Sequence, residues 1–207
     1  MRERFTRVED PDSTSCEQAL TIYEASFPAE ERQPVEVIRE RIAAGQNQLY
    51  VAEDGGKVVF FALLWPLART DFTLLDYLAT APDARGQGWG SRYLEHLFAD
   101  FRARREFVLL EVEDPDFGPN RKERTRRRAF YKRSGALELN GVRYLLPPLQ
   151  GSNQSTEMRL MVSPNYRVKT IDAAAVRGIV TRLYGRPAGD PLLQSFLVGI
   201  KDPISLR

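Results

Sequence analysis

The sequence predicts an α/β domain built on one mixed central sheet, followed by a helical extension. Two observations carry this. Segments with helical apolar spacing alternate with short, dense apolar runs of strand type along the chain. A glycine-rich turn then stands between one of those runs and a helix-like segment. Length and composition agree: 207 residues suit about one domain plus a decoration. With 43% apolar and 28% charged residues, the chain has enough material for a core.

Phe5 to Val8 reads as a short first strand. After the turn-like Pro11-Asp12-Ser13, Leu20, Tyr23 and Phe27 keep i, i+3, i+7 spacing, so a helix is predicted from about Ser15 to Phe27. Pro34 suits the first turn of a second helix, in which Val35, Ile38 and Ile42 repeat the spacing until Gly45. The period then changes. Gln48 to Ala52 and Val58 to Trp65 read as strands joined by the hairpin signal Asp54-Gly55-Gly56. The second is apolar almost throughout, as in a strand covered on both faces.

Phe72 to Thr80 is the next strand. The helix after Gly90 carries Leu94, Leu97, Phe98 and Phe101 inward and His96 outward. Phe107 to Glu113 reads as a strand. Asn120 and Glu123 form a capping-box-like start to a helix that stops at Gly135. Ala136 to Leu139 and Val142 to Leu146 look extended about the tight-turn signal Asn140-Gly141. Pro147 to Thr156 reads as a loop and Glu157 to Val162 as a last strand.

Residues 1–165 are thus expected to form the main domain and 166–207 the extension. In the latter, Val176, Ile179, Val180 and Leu183 make an amphipathic helix, and Leu192, Leu193, Phe196 and Leu197 a shorter one. Two short helices bury little alone, so they are expected to pack on the domain or on a second subunit. A homodimer stays open.

Charge is balanced, with 30 Lys+Arg against 28 Asp+Glu, so no whole-chain field favours nucleic acid or an anionic membrane. Cys16 is the one cysteine, which excludes an internal disulfide, a thiol zinc site and a redox pair. His96 is the one histidine, so a His-rich metal site is excluded and no metal is expected. Cys16 is expected as a small buried apolar residue, and Trp65 and Trp89 as packing residues. The charged start MRERFTRVED has no apolar signal region. No run reaches the roughly 18 apolar residues of a membrane span. The expected location is the cytoplasm.

The turn Arg85-Gly86-Gln87-Gly88-Trp89-Gly90-Ser91 carries three glycines in five positions. At a helix start these let backbone approach a ligand closely, and the free N–H groups favour a phosphate. A dinucleotide fingerprint would need glycine where Ser91 stands. A Walker loop needs Gly-Lys before Ser or Thr, but the only Gly-Lys, Gly56-Lys57, precedes Val58.

Arg85, Gly88 and Gly90 resemble the signature of the GCN5-related N-acetyltransferase (GNAT) family: Arg or Gln, two residues, Gly, one residue, Gly or Ala. The preceding strand Leu74-Leu75-Asp76-Tyr77-Leu78-Ala79 and the lead-in Pro82-Asp83-Ala84 fit its context. Phe130 to Ala136 resembles the family's second signature, with Tyr131 four residues before Gly135. Two positions depart from it: Ala136 replaces an aromatic, and Arg124 stands where an asparagine often contacts CoA. The resemblance covers about residues 15–163.

The resemblance implies acetyl-CoA as cosubstrate and direct acetyl transfer to a primary amine of an unidentified small molecule or protein. It puts the pyrophosphate on the loop from Arg85 to Ser91 and the pantetheine arm along Leu78, Ala79 and Thr80. Arg124 is a further cofactor candidate. Tyr131 would be the general acid toward the CoA sulfur, and a backbone N–H near Leu78 or Ala79 would hold the oxyanion. A lysine-like amine has a pKa near 10.4, so a base is needed. With His96 outward, a carboxylate is the candidate. Glu111 and Glu113 share a strand face, on the strand that in this family splays from its neighbour at the acetyl group. Asp76 is a third candidate.

Other readings remain open at this level. A noncatalytic acyl-CoA-sensing or partner-binding module has the same signatures. The run from Arg121 to Arg128, with six basic residues in eight, is a nucleic-acid surface or a solvated face lending an arginine to CoA phosphates. Arg102, Arg104 and Arg105 would join that patch. The acceptor is expected near Pro28 to Pro34 and Pro147 to Thr156, where Glu30 and Glu31 would attract a cation.

Overall fold

The computed structural model describes residues 5–146, 155–163, 168–185 and 189–207, the side chain of Glu30 excepted. In chain order the elements are β1 (Thr6–Val8), α1 (Thr14–Ser26), α2 (Val35–Ala43), β2 (Gln48–Asp54), β3 (Lys57–Pro66), β4 (Phe72–Thr80), α3 (Trp89–Arg104) and β5 (Phe107–Glu113). There follow α4 (Arg121–Arg133), β6 (Leu137–Glu138), β7 (Tyr144–Leu146), β8 (Thr156–Val162), β9 (Thr170–Ile171), α5 (Ala173–Tyr184), α6 (Pro191–Gly199) and β10 (Ile204–Ser205).

The main sheet runs β1-β2-β3-β4-β5-β8, with β6 and β7 both on the far edge of β8. Pairing is antiparallel from β1 to β4 and between β5 and β8, but parallel between β4 and β5. Two irregularities of β4 position the site. Leu63 faces Tyr77 while Leu64 faces Leu75, so Asp76 is the extra residue of a β-bulge. Pairing with β5 covers only Phe72↔Phe107, Thr73↔Val108 and Leu74↔Leu109. Beyond these the two strands part.

Two apolar clusters meet the sheet. On β5 the period of two sorts them: Val108, Leu110 and Val112 belong to the cluster that includes α1, α2 and α3, and Leu109 to the other. The second cluster holds the C-terminal helices. Val176, Ile179 and Val180 of α5 are fully buried with Leu109, Leu160 and Val162. Burial of such side chains is worth about 1.5–3 kcal/mol each, so the sheet of the same chain satisfies the amphipathic faces. The chain end adds hydrogen bonds: Glu138 and Arg207 exchange N–H to carbonyl contacts at 2.7 and 3.1 Å.

Helix starts follow familiar chemistry at Ser13, Asp172 and Asp190, whose side chains accept first-turn N–H groups. Asn120 does not. Its φ of 60° is left-handed and its side chain makes no capping bond. A capping box requires an extended cap residue, so the expected box at Asn120 and Glu123 is absent. Asn140-Gly141 likewise closes no hairpin. Leu137↔Val162, Glu138↔Met161 and then Tyr144↔Met158 show β6 and β7 running one after the other along β8. The residues between them loop out, and Asn140 N–H donates to the Ser205 carbonyl at 2.9 Å. Among the described residues no helix is long and apolar enough to cross a membrane.

Candidate active site

The parting of β4 and β5 opens a cleft of about 990 Å³. β4 from Leu74 to Thr80 forms one wall, and Glu111 and Glu113 of β5 stand on the other. Phe130 and Tyr131 of α4, Phe27 after α1, and Leu183 and Tyr184 of α5 complete it. Every strand residue named for the pantetheine arm, Leu78, Ala79 and Thr80, therefore borders the cleft. So do Arg85, Arg124, Tyr131, Glu111, Glu113 and Asp76.

The glycine loop follows the end of β4. Gly86 and Gly88 have φ of 80° and 84°, a region that favours glycine. α3 begins at Trp89, so the first-turn N–H groups of Trp89, Gly90 and Ser91 have no intrahelical acceptor. A Cβ on Gly88 would lie 3.0 Å from the Arg92 guanidinium, which donates to the Gln87 carbonyl at 2.6 Å and so braces the loop. A Cβ on Gly90 would lie 3.3 Å from Phe130 and 3.6 Å from Leu78. That glycine brings the helix start close to the cleft wall. The Trp89 ring is buried, with the Arg92 guanidinium 4.8 Å from its centroid, so Trp89 offers backbone rather than its ring. Beside the loop, Arg85, Arg126, Arg127 and Arg133 share a second, shallower groove. The absent acetyl-CoA fits these residues: a close-approach backbone cradle, free N–H groups, and a cationic groove for phosphates.

The acids divide sharply. Glu113 is ion-paired to Arg124 at 3.0 Å and to Arg127. Two guanidiniums thus engage its carboxylate oxygens. Arg124 is buried and also donates to the Phe117 carbonyl, which ties down the loop after β5. Its guanidinium is thus engaged by protein groups while it borders the cleft. Asp76 and Glu111 differ from Glu113. Burial pushes the Asp76 carboxyl up to about 7, opposed by Arg41. Burial pushes Glu111 up to about 8, reinforced by the charge of Asp76. The Tyr144 hydroxyl favours the charged form of Glu111, yet neither Tyr144 Oη nor Glu111 Oε1 completes a hydrogen bond among the described residues. Burial also raises the Tyr131 phenol, with Arg127 pulling it back, so Tyr131 is held as a proton donor.

The link between α1 and α2 is pinned over the cleft. Tyr77 Oη donates to the Glu31 carbonyl at 3.1 Å, and Tyr23 Oη accepts from Gln33 N–H at 2.8 Å. Glu31 lines the cleft; the Glu30 side chain and most of the Pro147 to Thr156 loop lie outside the described residues. Cys16 is buried. His96 is exposed and stacks on Phe5 with 6.2 Å between ring centroids. The arginine run is largely spent on internal pairs: Arg121 with Asp116, Arg124 and Arg127 with Glu113, Arg128 with Glu138. That removes most of the free charge a nucleic-acid surface would need. Sequence reasoning missed Arg41, Tyr144, Leu183 and Tyr184. Only the tertiary fold brings them to the site.

A bulged strand that parts from its parallel neighbour and ends in a glycine loop capping a helix defines the acyl-CoA acyltransferase architecture. Comparison with known proteins makes this specific. Residues 45–135 match the Acetyltransferase (GNAT) domain, so this part of the chain is a GNAT acetyltransferase domain. It is similar to a protein of known structure described as a GNAT-family acetyltransferase from Bacteroides thetaiotaomicron. That match is 28% identical with a TM-score of 0.71, covering 89% of this chain and 99% of that one. The ribosomal-protein-S18-alanine N-acetyltransferase of Escherichia coli shares the fold at 19% identity and TM-score 0.57, over 78% of this chain and 93% of that one. A 5-NmdU N-acetyltransferase of Pseudomonas phage PaMx11 is 31% identical over 93 residues, 45% of this chain and 59% of that protein. The chain therefore spans less than two thirds of that curated relative.

Proposed function

We propose that the protein is an N-acetyltransferase that moves the acetyl group of acetyl-CoA directly to a primary amine in the cytoplasm. Residues 1–165 form the acetyl-CoA-binding domain in this reading, and 166–207 an extension packed on it. The burial of α5 and α6 against their own sheet means that no second subunit is required. One observation carries the proposal: an unpaired strand edge, two carboxyls with no ion pair among the described residues and a phenol held protonated border one cleft, and its β4 wall leads through Arg85 into a left-handed glycine turn at a helix start whose Gly90 lies against the cleft residues Leu78 and Phe130.

The residues then divide the work. Gly86, Gly88 and the N–H groups of Trp89, Gly90 and Ser91 receive the pyrophosphate, and the arginines beside the loop add charge. The open edge of β4 at Leu78 to Thr80 receives the arm and offers an N–H to the developing oxyanion. Glu111 takes a proton from the ammonium. The freed nitrogen bonds to the acetyl carbonyl carbon, the carbon–sulfur bond breaks, and Tyr131 donates a proton to the sulfur. Asp76 keeps Glu111 basic enough to act near neutral pH. A thermal-shift titration with acetyl-CoA, CoA, ATP and NAD tests the first part. A ligand at about 100 times its Kd stabilises by roughly 2.7 kcal/mol, and the expected shift is confined to the CoA species. Thiol release on an amine panel tests the second. CoA binding without turnover of any amine would instead mark a noncatalytic acyl-CoA-sensing member of the fold.

A further inference from the structure

The charges that line the cleft are segregated. Its three arginines, Arg85, Arg124 and Arg127, all belong to the loop after β4 and to α4. The remaining walls carry Glu31, Asp76, Glu111, Glu113 and Glu157, and no lysine or arginine among their described lining residues; Glu113 is taken up by Arg124 and Arg127. Glu157 is paired with Arg143 at 3.0 Å. Asp76 on β4 and Glu111 on β5 line the gap between the two strands and influence each other's charge, and neither has an ion pair among the described residues. The cation acting on Asp76 is Arg41, set behind Trp65 with its guanidinium 5.8 Å from the ring centroid. Two carboxyls under the influence of one arginine leave a place for one further positive charge.

The other surfaces around this place are apolar or aromatic. Trp65, Leu145 and Leu146 come from the sheet, and Leu183 and Tyr184 from the end of α5. Tyr184 lies outside the region that matches the family. It is buried and packs edge-on against Phe196 of α6 at 5.8 Å, as Tyr144 does at 6.3 Å. The extension therefore fixes this wall as a unit with the tyrosine beside Glu111.

We propose that the acceptor is a primary monoamine on an apolar or aromatic body. Its ammonium is received between Asp76 and Glu111, and its body lies against Trp65, Leu183 and Tyr184. The C-terminal extension is then the specificity wall of the enzyme. This rests on the acetyltransferase reading above. An acceptor with a carboxylate beside its amine meets two acids and no guanidinium, and like charges in such a setting are rejected. A polyamine brings second and third charges against the surface that receives the body, Trp65, Leu183 and Tyr184, which is apolar or aromatic. The groups that face the acid pair and shape its titration are Arg41 of α2, Tyr23 of α1, Tyr77 of β4, Tyr144 of β7 and, through Tyr144, Tyr184 of α5.

The test uses the full chain, acetyl-CoA and four amines: 2-phenylethylamine, phenylalanine, spermidine and ethylamine. The expected kcat/KM for 2-phenylethylamine is about 100-fold above that for phenylalanine and about tenfold above that for spermidine. Leu183→Trp fills the wall and raises KM for 2-phenylethylamine about tenfold relative to ethylamine. A purely structural role for Leu183 would move both amines equally. Preference for phenylalanine or spermidine, or acetyl-CoA binding with none of the four amines consumed, overturns the monoamine assignment and leaves the cofactor reading intact. Failure to bind acetyl-CoA overturns both.

Discussion

The two ends of the cleft are made of different material. The proposed phosphate end is backbone: left-handed Gly86 and Gly88, the start of α3 and the free edge of β4. Its parts lie within about a dozen residues of one another in sequence. The proposed acceptor end is side chain: Asp76 of β4, Glu111 of β5 and Tyr184 of α5 on the cleft, with Tyr144 of β7 beside Glu111, gathered from more than a hundred residues of chain. A backbone site needs particular residue types at fixed local spacing. A side-chain site needs only that distant elements arrive together, and its function depends on burial.

The largest effect is expected at the acceptor end. Glu111→Gln removes the proposed base, and kcat should fall about 10²–10⁴-fold. In the wild type, kcat/KM should rise with pH through an apparent value of about 7 to 8 as the Asp76–Glu111 pair loses its proton. The variant should lose that limb. A residual profile unchanged in shape would move the base elsewhere. Next comes the phosphate end. Gly88→Val demands φ of 84° from a β-branched residue with the Arg92 guanidinium 3.0 Å away. Acetyl-CoA affinity should fall about 100-fold by calorimetry. Gly56→Ala is the control: φ is 77° but nothing lies within 4 Å, so it should cost about 1 kcal/mol of stability and leave affinity alone. If both variants behave alike, the loop is a turn and not a cradle.

Tyr131→Phe should have a smaller consequence, about 10–100-fold in kcat with KM for acetyl-CoA nearly unchanged. An equal loss in both constants would make Tyr131 a packing residue of the cleft wall.

The same contrast explains what the sequence disclosed. The strands from Gln48 to Thr80, the helix after Gly90 and the strand from Phe107 were legible because apolar period and glycine placement are local signals. So was the glycine turn at the start of α3. Asn120 was misread because left-handed backbone there is decided by tertiary contacts; Asn140-Gly141 does form a turn, but the segments on either side pair with β8 rather than with each other. Glu111 and Glu113 looked equivalent on a strand face. Only the arrival of Arg124 and Arg127 from α4 separates them. No local pattern marks Tyr144 or Tyr184, whose importance comes from what the extension packs against.

Stability should show the same division with opposite signs. Glu138 is held below the ordinary carboxylate range, chiefly by its hydrogen bond from Arg128. A depressed folded-state pKa contributes stability above the unfolded value near 4.5, lost as pH falls through the folded value. Glu138→Gln should therefore cost about 1 kcal/mol at pH 7, a cost that disappears in acid. Glu111 is raised to about 8 from 4.5. Between those values the folded state holds a proton that the unfolded state releases, so wild-type stability declines as pH rises through that window. Glu111→Gln has no such proton to lose. Its melting temperature should match the wild type near pH 4 and exceed it by about 3 °C or more at pH 8.5. A structural acid would show the Glu138 behaviour at both positions. An acid kept buried and uncompensated for chemistry shows the reverse, stabilising the fold when it is removed while abolishing turnover.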